Sequence, residues 1–128
     1  MSADSHGYVL DAGAFIAIER RVNRVGVLFE QLRRSQTPMI TSAGVVAQVW
    51  RGGSGRQVPL AVLLSHTTVV DLTKEIAKAL GMMLKLSATS DPIDAHVVHL
   101  ARERGWPVLT SDPGDLRAID PTLNVEAL

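Results

Sequence analysis

Apolar residues recur along this 128-residue chain in two rhythms. Short continuous runs at Tyr8-Val9-Leu10, Pro38-Met39-Ile40, Thr67-Thr68-Val69-Val70 and Pro107-Val108-Leu109-Thr110 are too brief for helices and read as buried strands. Between them the apolar positions fall at helical spacing. Val25, Leu28, Phe29 and Leu32, at i, i+3, i+4 and i+7, predict a helix over 25–34. Ile76, Leu80, Met83 and Leu84 form one face of a helix that Thr73 caps and that runs to about residue 86. Ile93, Val97, Leu100 and Ala101 face the core from a helix over 92–104, which Gly105 stops. Helices are also predicted over 12–19, 43–51 and 58–65. Thr41 or Ser42 caps the second of these, and Gly52-Gly53-Ser54-Gly55 ends it. A turn over 111–115 leads into a short helix to residue 118, and 124–127 reads as a final edge strand.

Strands alternating with helices imply an α/β domain whose sheet is parallel and covered on both faces. In such a sheet, sites form beyond the carboxyl ends of the strands, near the switch in strand order. One domain over 7–128 is expected, after a polar, flexible lead-in over 1–6. A hydrophobic fraction of 46% argues against disorder. Thirteen Lys and Arg balance thirteen Asp and Glu, so composition gives no sign of a nucleic-acid partner. With no cysteine, disulfides and thiolate metal sites are excluded. There is no basic-then-apolar leader and no apolar run near the roughly 20 residues that span a bilayer, so a cytoplasmic location without membrane contact is expected.

Candidate chemistry lies in the aspartates. In Ser90-Asp91-Pro92-Ile93-Asp94-Ala95-His96, Asp91 is placed as an N-cap, Pro92 as the first helical residue, and Asp94 one turn along the same face. A cap alone contributes roughly 0.5–2 kcal/mol. The same two acids also read as half of a metal site. Asp11 follows the first strand, and Asp112 lies two residues after the fourth. If those strands are neighbours, Asp11, Asp94 and Asp112 meet with Asp115 or Asp91. Carboxylates at close range raise one another's pKa, and a divalent cation removes the conflict. An oxygen-only donor set favours Mg²⁺ or Mn²⁺. Capping explains each acid separately, since Asp112-Pro113-Gly114-Asp115 repeats the cap pattern. It does not require acids at both strand ends, and the joint pattern points to a metal site.

Tyr8-Val9-Leu10-Asp11-Ala12, then Val46-Ala47-Gln48-Val49-Trp50-Arg51, then Asp91-Pro92-Ile93-Asp94-Ala95-His96-Val97-Val98, and Val108-Leu109-Thr110-Ser111-Asp112 resemble the ordered signatures of PIN-domain ribonucleases, above all VapC-type toxins of bacterial toxin–antitoxin pairs. Each motif is weak alone; their order and spacing across nearly the whole chain are specific. The resemblance implies a single PIN-like domain with a parallel sheet of about five strands. It implies a Mg²⁺- or Mn²⁺-dependent endoribonuclease acting on RNA, a VapB-like antitoxin partner, and a homodimer. It points to Asp11, Asp94 and Asp112 as the acidic core, with Asp91 and Asp115 as accessory acids. The chain departs from the family at Gln48, where a glutamate is usual. An amide oxygen still ligates a metal but brings no charge, so weaker or narrowed metal binding is expected. Alternatively, Gln48 is only a polar residue on an amphipathic helix.

Arg51 and Arg56, just past that helix, are candidates for contact with substrate phosphates or ordinary solvated surface. Arg20, Arg21 and Arg24 form a second basic cluster, solvated or facing a partner. His96 and His99, three apart, are expected on a surface helix face rather than on a metal. Trp50 and Trp106 are expected in the core or an interface. Two other functions compete. One is a catalytically weak PIN-fold module that binds RNA or an antitoxin, which Gln48 keeps open. The other is a phosphoacceptor receiver domain, with Asp71 after the third strand as the acceptor.

Overall fold

The computed structural model describes residues 6–128, so the lead-in expected over 1–6 lies, apart from His6, outside the described residues. The chain runs β1 (Tyr8–Leu10), α1 (Ala12–Glu19), α2 (Asn23–Arg34), β2 (Met39–Ser42), α3 (Ala43–Val49), a 3-10 turn (Gly55–Gln57), α4 (Val58–Ser65), β3 (Thr68–Val70), α5 (Lys74–Ser87), α6 (Pro92–Arg104), β4 (Val108–Thr110), α7 (Pro113–Ile119) and β5 (Val125–Ala127). The five strands form one sheet in the order β3-β2-β1-β4-β5. Every neighbouring pair is parallel. The chain steps outward from β1 through β2 to β3, then returns to β4 on the other side of β1. With right-handed crossovers, the helices made before and after that reversal cover opposite faces. α1 accordingly packs with α2, α3 and α4, and α6 packs with α5 and α7.

β1 is the central strand. Val9 pairs with Ile40 on one side and Val108 on the other, and Leu10 pairs with Leu109. These positions are buried on both faces, as a parallel sheet requires. Phe15 and Ala14 on α1 and Val97, Val98 and Ala101 on α6 close the two layers. Trp106 is buried against Gly7, whereas Trp50 keeps a partly exposed ring. Among the described residues, no helix is long and apolar enough to cross a membrane.

Two elements differ from the sequence expectation. β2 continues through Thr41 and Ser42, both fully buried despite their hydroxyls. Burial is tolerated because each hydroxyl has a partner. Thr41 Oγ1 donates to the Leu10 carbonyl at 2.7 Å, and Ser42 Oγ accepts from the Gly44 N–H at 3.0 Å as the cap of α3. α3 then ends at Val49, two residues early. Gln57 takes over its terminus: Nε2 donates to the Val49 carbonyl at 2.9 Å and to Glu19 Oε2 at 2.6 Å, while Oε1 accepts from the Arg51 N–H at 2.6 Å. The glycine loop between them folds back on Trp50, and Gly53, at φ +70°, leaves no room for a β-carbon beneath the indole.

His96 corrects an expectation. It is not on a surface face but fully buried, with Nδ1 2.6 Å from Ser42 Oγ. Among the described residues, Nε2 has no hydrogen-bond partner. Burial, and then the charge of His99, hold its pKa below the ordinary histidine range.

Candidate functional site

β1 and β4 are neighbours at the point where the strand order reverses, and the acids gather beyond their carboxyl ends. Asp11 is the N-cap of α1: Oδ1 accepts from the Ala14 N–H at 3.4 Å. Asp91 is the N-cap of α6, with Oδ1 accepting from Ile93 at 2.9 Å and from Asp94 at 3.2 Å. Both acids are therefore caps, as their positions allowed. Asp112 is different. It occupies the N-cap position of α7 but makes no side-chain cap bond. Its backbone N–H donates to Thr110 Oγ1 at 2.9 Å, and its carboxyl meets that of Asp115.

Asp94 lies in the middle of this group. Its pKa is pushed up to about 6, first by burial and then by the charges of Asp91, Asp115, Asp11 and Asp112. All five aspartates singled out in the sequence thus share one electrostatic neighbourhood, although Asp11 and Asp94 lie on helices from opposite faces of the sheet. Asp11 is raised as well, chiefly by burial. Hydrogen bonds from the Thr110 hydroxyl and from the Ala14 and Gly13 N–H groups oppose that shift, and the charge of Asp112 adds to it. Asp115 is raised foremost by its hydrogen bond with Asp112. An open hollow of about 290 Å³ beside the cluster is lined by Asp91, Asp94, Asp115, Thr89, Ser90 and Ala118, among others.

The donor set is chemically suited to a hard divalent cation, because it consists of carboxylates whose charges disfavour one another. Among the described residues, no three acidic or imidazole side chains yet converge closely enough to hold an ion. Gln48 is exposed on α3, one turn past Gly44. A β-carbon on Gly44 would lie 2.9 Å from Ile93 Cγ1, so that face of α3 abuts the start of α6. Arg51 and Arg56 are exposed beyond the end of α3. The Arg51 guanidinium folds back, donating to the Trp50 carbonyl at 2.6 Å and to the Ala47 carbonyl at 3.4 Å.

Sequence reasoning missed Thr110, whose buried hydroxyl links the two strand ends by touching both Asp11 and the Asp112 N–H. A threonine closing an otherwise apolar strand directly before an acid was the available signal. Asp71 follows β3, an edge strand two places from β1. In a receiver-type sheet the third strand borders the first at the switch point, so Asp71 is misplaced for that role.

The chain matches the family model for the PIN domain over residues 8–120, and it belongs to that family. A search of curated proteins found no match. Among solved structures, VapBC2 of Rickettsia felis bound to a promoter DNA fragment is similar at a TM-score of 0.68 and 18% identity, covering 94% of this chain and 98% of that one. PAE2754 of Pyrobaculum aerophilum is similar at 0.68 and 13% identity, covering 94% of this chain and 84% of that one. FitAB bound to the IR36 DNA fragment follows at 0.62 and 17% identity, covering 94% of each. At these identities the likeness shows a shared fold.

Proposed function

We propose that this PIN-domain protein is a Mg²⁺- or Mn²⁺-dependent endoribonuclease that hydrolyses RNA phosphodiester bonds and serves as the toxin of a toxin–antitoxin pair. The observation that carries the proposal is Asp94, whose carboxyl faces four other aspartates across the reversal in strand order and is pushed up to about 6. Asp11, Asp94 and Asp112 would hold the ion, with Asp91, Asp115 and the neutral Gln48 around them. When bound, the ion offsets the carboxylate charge and polarises a phosphodiester oxygen. The remaining chemistry belongs to the chain. A carboxylate beside the ion, Asp94 or Asp112, would take the proton from an attacking water. Thr110 donates to Asp11 and opposes the rise in its pKa that burial causes. Arg51 and Arg56 are the proposed phosphate contacts.

The partner proposal rests on the fold family and on a surface away from the acids. A groove of about 530 Å³ runs between α1, α2 and α4, lined by Ile18, Val22, Gly26, Val27 and Pro59 among others. Val58 and Val62 are exposed beside it. Two of the similar structures, VapBC2 and FitAB, are complexes that include DNA, and a VapB-like antitoxin is the partner proposed here. A homodimer is proposed on the family resemblance alone.

The test is cleavage of total RNA by purified protein with Mg²⁺, with Mn²⁺ and with chelator, wild type against Asp94→Asn. Metal-dependent cleavage lost in Asp94→Asn supports the proposal. RNA binding without cleavage would instead make this chain a binding module, the outcome that the neutral Gln48 favours.

A further inference from the structure

Gly13 stands in the first turn of α1, where glycine costs about 1 kcal/mol relative to alanine. Its backbone is not left-handed, so conformation does not demand glycine. Space does. A β-carbon there would overlap the Ser111 hydroxyl, and it would lie 3.0 Å from the Ser111 backbone nitrogen and 3.2 Å from Asp11 Oδ1. The bare Cα admits the Ser111 side chain, so that the serine hydroxyl and the Asp11 carboxylate flank one point. Ser111 is exposed there, between Thr110 and Asp112.

Ionised carboxylates only accept hydrogen bonds, so the five aspartates offer a phosphate no donor. The donors nearest Asp11 are engaged with it: the Thr110 hydroxyl and the Gly13 and Ala14 N–H groups. Ser90 is the exposed serine beside Asp91 and Asp94, and Ser111 is the exposed serine beside Asp11.

We propose that the Ser111 hydroxyl, seated against Gly13 beside Asp11, donates a hydrogen bond to a phosphodiester oxygen of RNA docked at the acidic cluster, and that Gly13 provides the room it needs. This rests on the nuclease proposal above for its substrate class, but it is read separately. The probe is a short fluorescein-labelled RNA, titrated in Ca²⁺ and followed by anisotropy, with a denaturing gel to show that it stays intact. Ser111→Ala keeps the backbone and β-carbon, so its melting temperature stays near wild type. Its affinity falls about tenfold, the worth of one hydrogen bond to a charged group.

A reciprocal exchange separates hydroxyl from packing. Ser111→Gly weakens binding to a similar degree. Gly13→Ser in that background returns a hydroxyl to the same space from α1 and restores affinity to within about threefold. Gly13→Ala in that background fills the space without a hydroxyl and stays weak. The proposal is overturned if the alanine pair binds as well as the serine pair, if Ser111→Ala binds like wild type, or if wild type does not bind the probe. Wild-type protein that binds with this pattern but leaves unmodified RNA intact in Mg²⁺ and Mn²⁺ removes the nuclease proposal and supports the serine contact.

Discussion

The Ser42 hydroxyl and the His96 imidazole meet 2.6 Å apart in a fully buried contact that ties the start of α3 to the middle of α6. Ser42 also caps α3 through Gly44. Ser42→Ala therefore removes a cap and leaves Nδ1 as unpartnered as Nε2 already is. A loss of about 1–3 kcal/mol in urea unfolding is expected. His96→Leu removes both ring nitrogens, leaves the Ser42 hydroxyl its bond from Gly44 and keeps the volume, so its loss is expected to stay under about 1.5 kcal/mol. Equal, large losses for the two variants would contradict this assignment.

Asp94 sets a pH dependence with a definite sign. Its folded value of about 6 lies above the ordinary 3.8, so the folded protein keeps this proton longer than the unfolded chain does. The stability that Asp94 contributes is complete below the ordinary value and is lost as pH rises through about 6. Asp11, also raised, acts in the same direction. In chelator, the melting temperature is expected to fall between about pH 4 and pH 7, and Asp94→Asn to flatten that fall and melt higher than wild type at neutral pH. A wild-type melting temperature that climbs over this interval would show that other groups dominate.

A cation that neutralises the cluster reverses the same penalty. At a hundredfold its dissociation constant, Mn²⁺ is expected to stabilise wild type by about 2.7 kcal/mol, and to do far less for Asp11→Asn or Asp112→Asn. Gln48→Glu is expected to tighten Mg²⁺ and Mn²⁺ binding, measured by titration calorimetry. Equal affinities in the two proteins would take Gln48 out of the proposed metal site.

Gln57 offers a check away from the acids. Its buried amide joins Glu19, the Val49 carbonyl and the Arg51 N–H, so it stitches the ends of α1 and α3 to the glycine loop. Gln57→Ala leaves the buried Val49 carbonyl and the part-buried Arg51 N–H without this partner and is expected to cost about 1–3 kcal/mol in urea unfolding.

What the sequence made legible follows from how local each signal is. The helices α1, α4 and α6 begin and end where caps, prolines and Gly105 place them, because those signals act within a turn. Asp11, Asp91, Asp94, Asp112 and Asp115 could be picked out because acids at strand ends and helix starts stand out against apolar runs. That β4 returns to the far side of β1 is a tertiary fact, and the sequence supported it only as a condition. The buried polar residues were harder still. Thr41 finds its acceptor 31 residues away and His96 its partner 54 residues away, so neither position carries a local mark of burial. Gly13 looked like any small helical residue until Ser111 was seen against it.

The sheet order carries a consequence for the chain as it is made. β1 emerges early with Asp11, but its neighbour β4 is the fourth strand, and Asp112 and Asp115 come later still. A nascent polypeptide halted anywhere before α7 holds only scattered acids. Whatever chemistry the gathered aspartates perform is thus withheld until the last of these residues has cleared the exit tunnel.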